Sequence, residues 1–437
     1  MPAVLTVTPQ SQFTVVARIA AGREPALRTL LATMSSAPGV VDPNNPLVPF
    51  GEFAQLHFVR FVILTDPTLA DIEAYGVPRP NLPNYLAFVG DCDGPSAQCL
   101  AQMVQRAAAG LTEVFTHCEG FDTRADLLAW MQAHDLPIAA SYVNWVGRTV
   151  LQIKQESALQ QVLSARLDRT AVASAAEARE RWREMAAFVR NEIDARRLSL
   201  TPPEPTPLAW LAAKWANFLL SLLLSLLALP LLIALAPLLL FQLRRQETRD
   251  PEICPRPDSG LLRELQGLED HDVTNQYTAF GSAKPGAFRR ALITLVFAVI
   301  QFTARHIFTR GYLARVQTIH FARWVFIDDK RRVLFTSNYD GGHQAYMDDF
   351  INKAAWGLNV AFSSGVGWPH TDWLLLRGAR REHHFKYFQR RHQLPTQVWY
   401  KAYPGLTLTD LERNARIRQG LERDLSDTEA LAWLKLL

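Results

Sequence analysis

Cysteine is scarce in this chain, and the pattern of a leader is missing. Four cysteines (Cys92, Cys99, Cys118, Cys254) in 437 residues show no CxxC and no zinc-ligand spacing. Neither a disulfide framework nor a zinc site is expected, and a reducing compartment is. The opening MPAVLTVTPQSQFTVV lacks the basic stretch and apolar core of a signal peptide. There is no phosphate-binding glycine loop, no GxSxG, no HExxH and no paired-carboxylate motif, which argues against the commoner hydrolases and nucleotide enzymes. Charge of one sign is also in short supply. Lys and Arg number 46 against 42 Asp and Glu, a net of +4, and the basic residues form short clusters, so no nucleic-acid partner is expected.

What is present is an apolar, duplicated chain. Hydrophobic residues make up 49% and charged residues 20%, the balance of a globular protein long enough for two or three domains. Residues 56–66 read LHFVRFVILTD and residues 319–329 read IHFARWVFIDD. After each copy a strand runs into Asp-Gly (Asp93-Gly94; Asp340-Gly341) and then a helix ending near Gly110 or Gly357. Further on, HDLPIAASYVNWVGRTVLQ (134–152) parallels HQLPTQVWYKAYPGLTLTD (392–410), with His, Pro, Tyr, Gly and Thr coinciding without a gap. The beginnings agree more loosely, 13–34 with 276–297. Each half reads β-α-β-β-α-β with a helical tail, the order of a ferredoxin-like unit. Both faces of the copied strands are apolar, so each sheet needs a second layer beyond its own helices.

The expected fold is therefore α+β: two tandem ferredoxin-like repeats whose sheets face each other as one intramolecular barrel. The expected divisions are 1–168, first repeat; 169–207, charged helix and Pro-rich linker; 208–245, hydrophobic segment; 246–272, connector; 273–437, second repeat with a helical tail.

The segment between the repeats is the strongest functional signal. From Trp215 to Leu243, 29 residues pass without a charge, more than the ~20 that cross a bilayer. Trp210, Lys214 and Trp215 flank one end and Arg244-Arg245 the other, as interfacial anchors do. One crossing would separate the repeats and force the barrel to form between copies of the chain, as a homo-oligomer. A re-entrant hairpin or a shallow in-plane insertion, turned at Pro230 and Pro237, keeps them together and is the expectation here. The predicted location is membrane-associated, with the soluble parts cytoplasmic.

Topology gives one family likeness. Tandem βαββαβ units resemble the dimeric α+β barrel superfamily, which includes the dye-decolorising peroxidases and chlorite dismutases. The likeness implies a haem cofactor. His306, at the end of the second repeat's first helix, would be the axial metal ligand, with Arg323 or Arg315 polarising bound peroxide. Asp340, in SNYDG, would shuttle a proton with His343 one turn away. Asp340 also suits a helix cap, because Asp93 repeats it. The expected partners are the bilayer and a hydrophobic small molecule. The expected activity is a peroxidase-like oxidation of an apolar or lipid-derived substrate. The alternative is a cofactor-free barrel that binds or transforms such a molecule, or a non-catalytic membrane scaffold.

Overall fold

The computed structural model describes residues 8–437 except 168–173, 310, 312 and 314. The protein is mixed α+β, with two four-stranded antiparallel sheets and one long apolar helix.

The first half runs β1 (Gln10–Arg18), α1 (Glu24–Ala32), β2 (Leu56–Leu64), β3 (Tyr85–Asp93), α2 (Ser96–Phe115), α3 (Leu127–Ala133), β4 (Ile138–Val143) and α4 (Val150–Arg166). Next come α5 (Ala175–Asp194), α6 (Leu208–Glu247) and α7 (Ser259–Gln266). The second half runs β5 (Thr274–Ser282), α8 (Ala287–His306), β6 (Ile319–Ile327), β7 (Arg332–Asp340), α9 (His343–Phe362), α10 (Glu382–His392), β8 (Val398–Lys401), α11 (Leu408–Leu421) and α12 (Asp427–Leu434).

The sheets are ordered β1-β3-β2-β8 and β4-β6-β7-β5. Each therefore takes its fourth strand from the other half. The segment entering β4 first bonds β1, through Val16 N–H to His134 O and Leu136 N–H to Thr14 O, both 2.9 Å. β4 itself then pairs with β6. Likewise Leu394 N–H bonds Thr278 O of β5 at 2.8 Å before β8 pairs with β2. These two segments tie each sheet's edge to the other's.

All nine residues of β2 are buried, as its unbroken apolar run requires. Val16, Val62, Leu64, Phe280, Val325 and Leu334 pack between the sheets, each burial worth about 1.5–3 kcal/mol. The outer faces carry the helices. Four more helices, α4, α5, α11 and α12, cluster at one end around Leu159, Leu163, Trp182 and Trp433. The charged helix α5 thus belongs to a shared core. It buries Ala178, Trp182, Met185, Ala186 and Val189, one stripe at helical spacing.

α6 corrects the hairpin expectation. It is one continuous 40-residue helix through Pro230 and Pro237, about 60 Å at 1.5 Å per residue. Each proline removes a hydrogen bond, but leucine-rich turns on both sides carry the helix past it. Both ends of α6 stay on one body. Asn217 Oδ1 meets His306 Nε2 at 3.0 Å, and Arg244 reaches Asp372 at 2.6 Å. Leucines along its middle, such as Leu222, Leu227 and Leu238, are exposed. α6 and α8 are each long and apolar enough to cross a membrane.

Candidate functional site

α8 and α9 lie on the outer face of the second sheet and leave between them a cavity of about 260 Å3. That exceeds the ~150 Å3 apolar cavity known to stay dry and accept benzene. Ala322, Trp324 and Phe335 form its floor, with Ile300 and Thr303 from α8 and Phe350 and Gly357 from α9 on the sides. Val299 and Trp356 line it while both remaining half exposed, and so mark its mouth. Leu295 and Ile307 of the same surface are exposed too, next to the N-terminal half of α6, where Phe218 stacks on Phe302.

Few polar atoms belong to the cavity lining, and most are already bonded; the exception is the indole N–H of Trp324, buried without a partner. Tyr277 donates to Gln389, to its backbone oxygen at 3.1 Å and to its side-chain oxygen. The Tyr346 and Ser337 hydroxyls share a bond of 2.7 Å. Thr303 donates to Ile300 O at 3.0 Å. Such a cavity can hold hydrocarbon and offers at most one free donor, the Trp324 indole, to orient a polar group.

The first half shows why the space exists. Gly110 of α2 occupies the place of Gly357, and a Cβ there would come within 2.0 Å of Leu47 O. The connection 33–55 folds over α2 and plugs that side with Val48 and Phe50, both fully buried. At Gly357 a Cβ would meet nothing within 4 Å. The corresponding connection, 307–318, is about half as long, and among its described residues only Ile307, Phe308 and Leu313 reach the cavity.

A second assembly fills the space between the sheets. Arg60 of β2 crosses to Tyr277 O (3.0 Å), Thr278 Oγ1 (2.9 Å), Ser337 O (3.1 Å) and Asn338. Arg323 of β6 crosses the other way to Phe13 O (2.7 Å), Gly90 O (3.0 Å) and Asp91. Asn338 donates to Asp91 at 3.2 Å. Arg323 thus bonds the one carboxylate directly and Arg60 reaches it through Asn338, and burial holds the Arg60 guanidinium down, to about 9. Beside them, His57 Nε2 meets Asp93 at 2.9 Å and His320 Nε2 meets Asp340 at 2.7 Å. A β-bulge in each strand turns these histidines inward. The free oxygen of Asp93 caps α4 at Val150 N–H (2.8 Å), and that of Asp340 caps α11 at Leu408 N–H (2.7 Å). Arg60, Arg323, Asp91, His57 and His320 are each no more than 2% exposed. This network binds the sheets together and is closed to solvent.

The residues expected to form a haem site are not brought together. His306 faces α6, bonded to Asn217 and packed against Phe218 and Phe302, and does not line the cavity. Arg323 lies on the opposite face of the second sheet. Arg315 is exposed on a turn with φ +77°. Asp340 is engaged in the interior as described. His343 is buried against Tyr277, its Nδ1 without a hydrogen bond and 4.0 Å from Glu269 Oε1, and burial pushes it down to about 3. Among the described residues no arginine, lysine or histidine lines the cavity to meet haem carboxylates. These residues do not fit haem. Among the described residues no cluster of three His, Cys, Asp or Glu is placed to hold a metal ion.

Comparison with known families, curated proteins and solved structures finds no match to this chain.

Proposed function

We propose that this protein sits on a membrane through α6 and the outer face of α8, and takes an apolar small molecule, such as a lipid acyl chain, into the cavity between α8 and α9. One observation carries the reading: a cavity of about 260 Å3 with almost no free polar atom has its mouth, at Val299 and Trp356, in the exposed apolar surface beside α6. A ligand dissolved in the bilayer would enter without passing through water.

The frame we propose for this pocket is two copies of one ferredoxin-like unit closing as an eight-stranded barrel. Three matches support it. α2 and α9 are each 20 residues, and both lose helical geometry at the same place, Ala107 and Ala354. Capping boxes start α4 at Thr149 and α11 at Thr407. The bulged histidines and crossing arginines also occur in pairs. Unpaired cysteines and arginines at both flanks of α6 favour a cytoplasmic body.

A peroxidase-like oxidoreductase would need His306 and Arg323 facing one cavity, and they lie on opposite sides of the second sheet. Binding is therefore the better-supported reading. The test uses full-length protein reconstituted in lipid nanodiscs with a spin-labelled fatty acid. Immobilised label is expected, and Gly357→Leu should release it by filling the cavity. Label that stays mobile in the unsubstituted protein, or a Soret band abolished by His306→Ala, would overturn the proposal.

A further inference from the structure

We infer that the cleft where the C-terminal end of α6 meets the start of α8 binds the phosphate of an anionic phospholipid. This rests on the membrane attachment proposed above and adds a headgroup contact to it.

The cleft, about 410 Å3, is lined by Arg245, Gln246, Arg249, Asp250, Pro285 and Arg289 among others. Arg289 is the telling residue. It is 2% exposed and gives Nη2 to Asp250 at 2.6 Å, while Nε and Nη1 are buried with no partner. A buried guanidinium with two unmet N–H groups is costly, and anionic oxygens are the acceptors that fit its fork. Gln246 Oε1, also buried and unpartnered, can accept from a headgroup hydroxyl.

Charge points the same way. Asp250 is shared by Arg289 and Lys284, the latter at 2.7 Å. Arg245 and Arg249 are exposed and enter no salt bridge among the described residues, whereas Arg244 beside them pairs with Asp372. Three arginines (Arg245, Arg249, Arg289) thus line the cleft with one carboxylate, Asp250, which Lys284 also bonds. α8 starts at this cleft with no side chain capping it, and an uncapped helix start adds positive potential.

Depth decides the source of the phosphate. The uncharged run of α6 ends at Leu243, one residue before Arg244, so the cleft stands where hydrocarbon gives way to headgroups. Glu247 fastens a hairpin at the same level, accepting from Trp373 N–H (2.9 Å) and Leu374 N–H (2.8 Å). That hairpin exposes Trp373, Leu375 and Leu376, an interfacial set.

The test titrates full-length protein in neutral detergent with dioctanoyl phosphatidic acid, dioctanoyl phosphatidylcholine and inorganic phosphate, following thermal unfolding by tryptophan fluorescence. Phosphatidic acid should raise the Tm and phosphatidylcholine should not. Arg245→Gln/Arg249→Gln, which removes only exposed side chains, should weaken the half-saturating concentration roughly tenfold. An equal rise with inorganic phosphate would support a phosphate site and overturn the lipid as its source. A rise shared by phosphatidylcholine, or one unchanged in the double variant, would overturn the site. Flotation of the full chain with phosphatidylcholine vesicles reads membrane attachment separately, so the two failures are distinguishable.

Discussion

The arginines that cross between the sheets show how far single residues are committed here. Asp91 is the carboxylate Arg323 bonds, and it also accepts from Asn338 and from Gln12 at 2.7 Å. Asp91→Asn should destabilise the protein by about 3–5 kcal/mol, because it strands buried cations. Denaturant titration checks this, and a loss under 1 kcal/mol would mean the network is not closed to water. His343 predicts an acid limb. Its folded pKa is near 3 against an ordinary 6.5, so the unfolded chain binds more protons between those values. Stability is complete above pH 6.5 and falls as pH drops through that window. His343→Phe should flatten the slope by up to about 1.4 kcal/mol per pH unit. His392, held at about 4 by burial, keeps part of the limb in the variant. At this scale the sequence was only partly legible. Arg60 and Arg323 stand at matching places in the copied strands 56–66 and 319–329, but nothing in the letters puts Gln12 or Asp91 beside them. Matching 13–34 to 276–297 is one residue out of step, since β1 and β5 begin at Gln10 and Thr274. On a strand one residue exchanges the two faces, so Gln12 and Gln276, which both point inward, fell out of register.

Among the elements, α6 was the most legible and also the most misread. Its length and apolarity are plain in the letters. Its continuity through two prolines is not, because proline's local cost says nothing of the leucine turns on either side. The cavity lay beyond reach for another reason: it exists where the second half lacks a plug that the first half has, and periodicity does not report a missing loop. Gly357 gives the element-scale prediction. Leucine there meets open space, fills the void and replaces glycine inside a helix, so Gly357→Leu should stabilise by about 1 kcal/mol or more. Gly110→Leu should destabilise strongly against Leu47. Paired thermal melts check both, and similar losses at the two sites would mean no void lies beside α9.

At the scale of the whole molecule, the fourth-strand exchange is the governing feature. The α+β class was readable from the strands and helices in the sequence, but the exchange was not, because the residues of β4 and β8 do not say which sheet each completes. The prediction follows directly. Residues 1–207 expressed alone should aggregate, as should 248–437, since each is left with an uncovered strand edge. Co-expression should rescue both, read as co-elution in detergent. A soluble, monomeric half with native circular dichroism would contradict the exchange.

The exchange also sets a timetable for biogenesis. β2 is made early, yet its covering strand leaves the ribosome about 330 residues later, a wait of roughly 20–60 s at ordinary elongation rates. During that wait α6 has already emerged. The nascent first half must therefore wait with one flank bare, and on the membrane attachment proposed above insertion comes before completion of either sheet. On that proposal, a delay in targeting would prolong the exposure, and yield in the cell should depend more on delivery than on the stability of the finished protein.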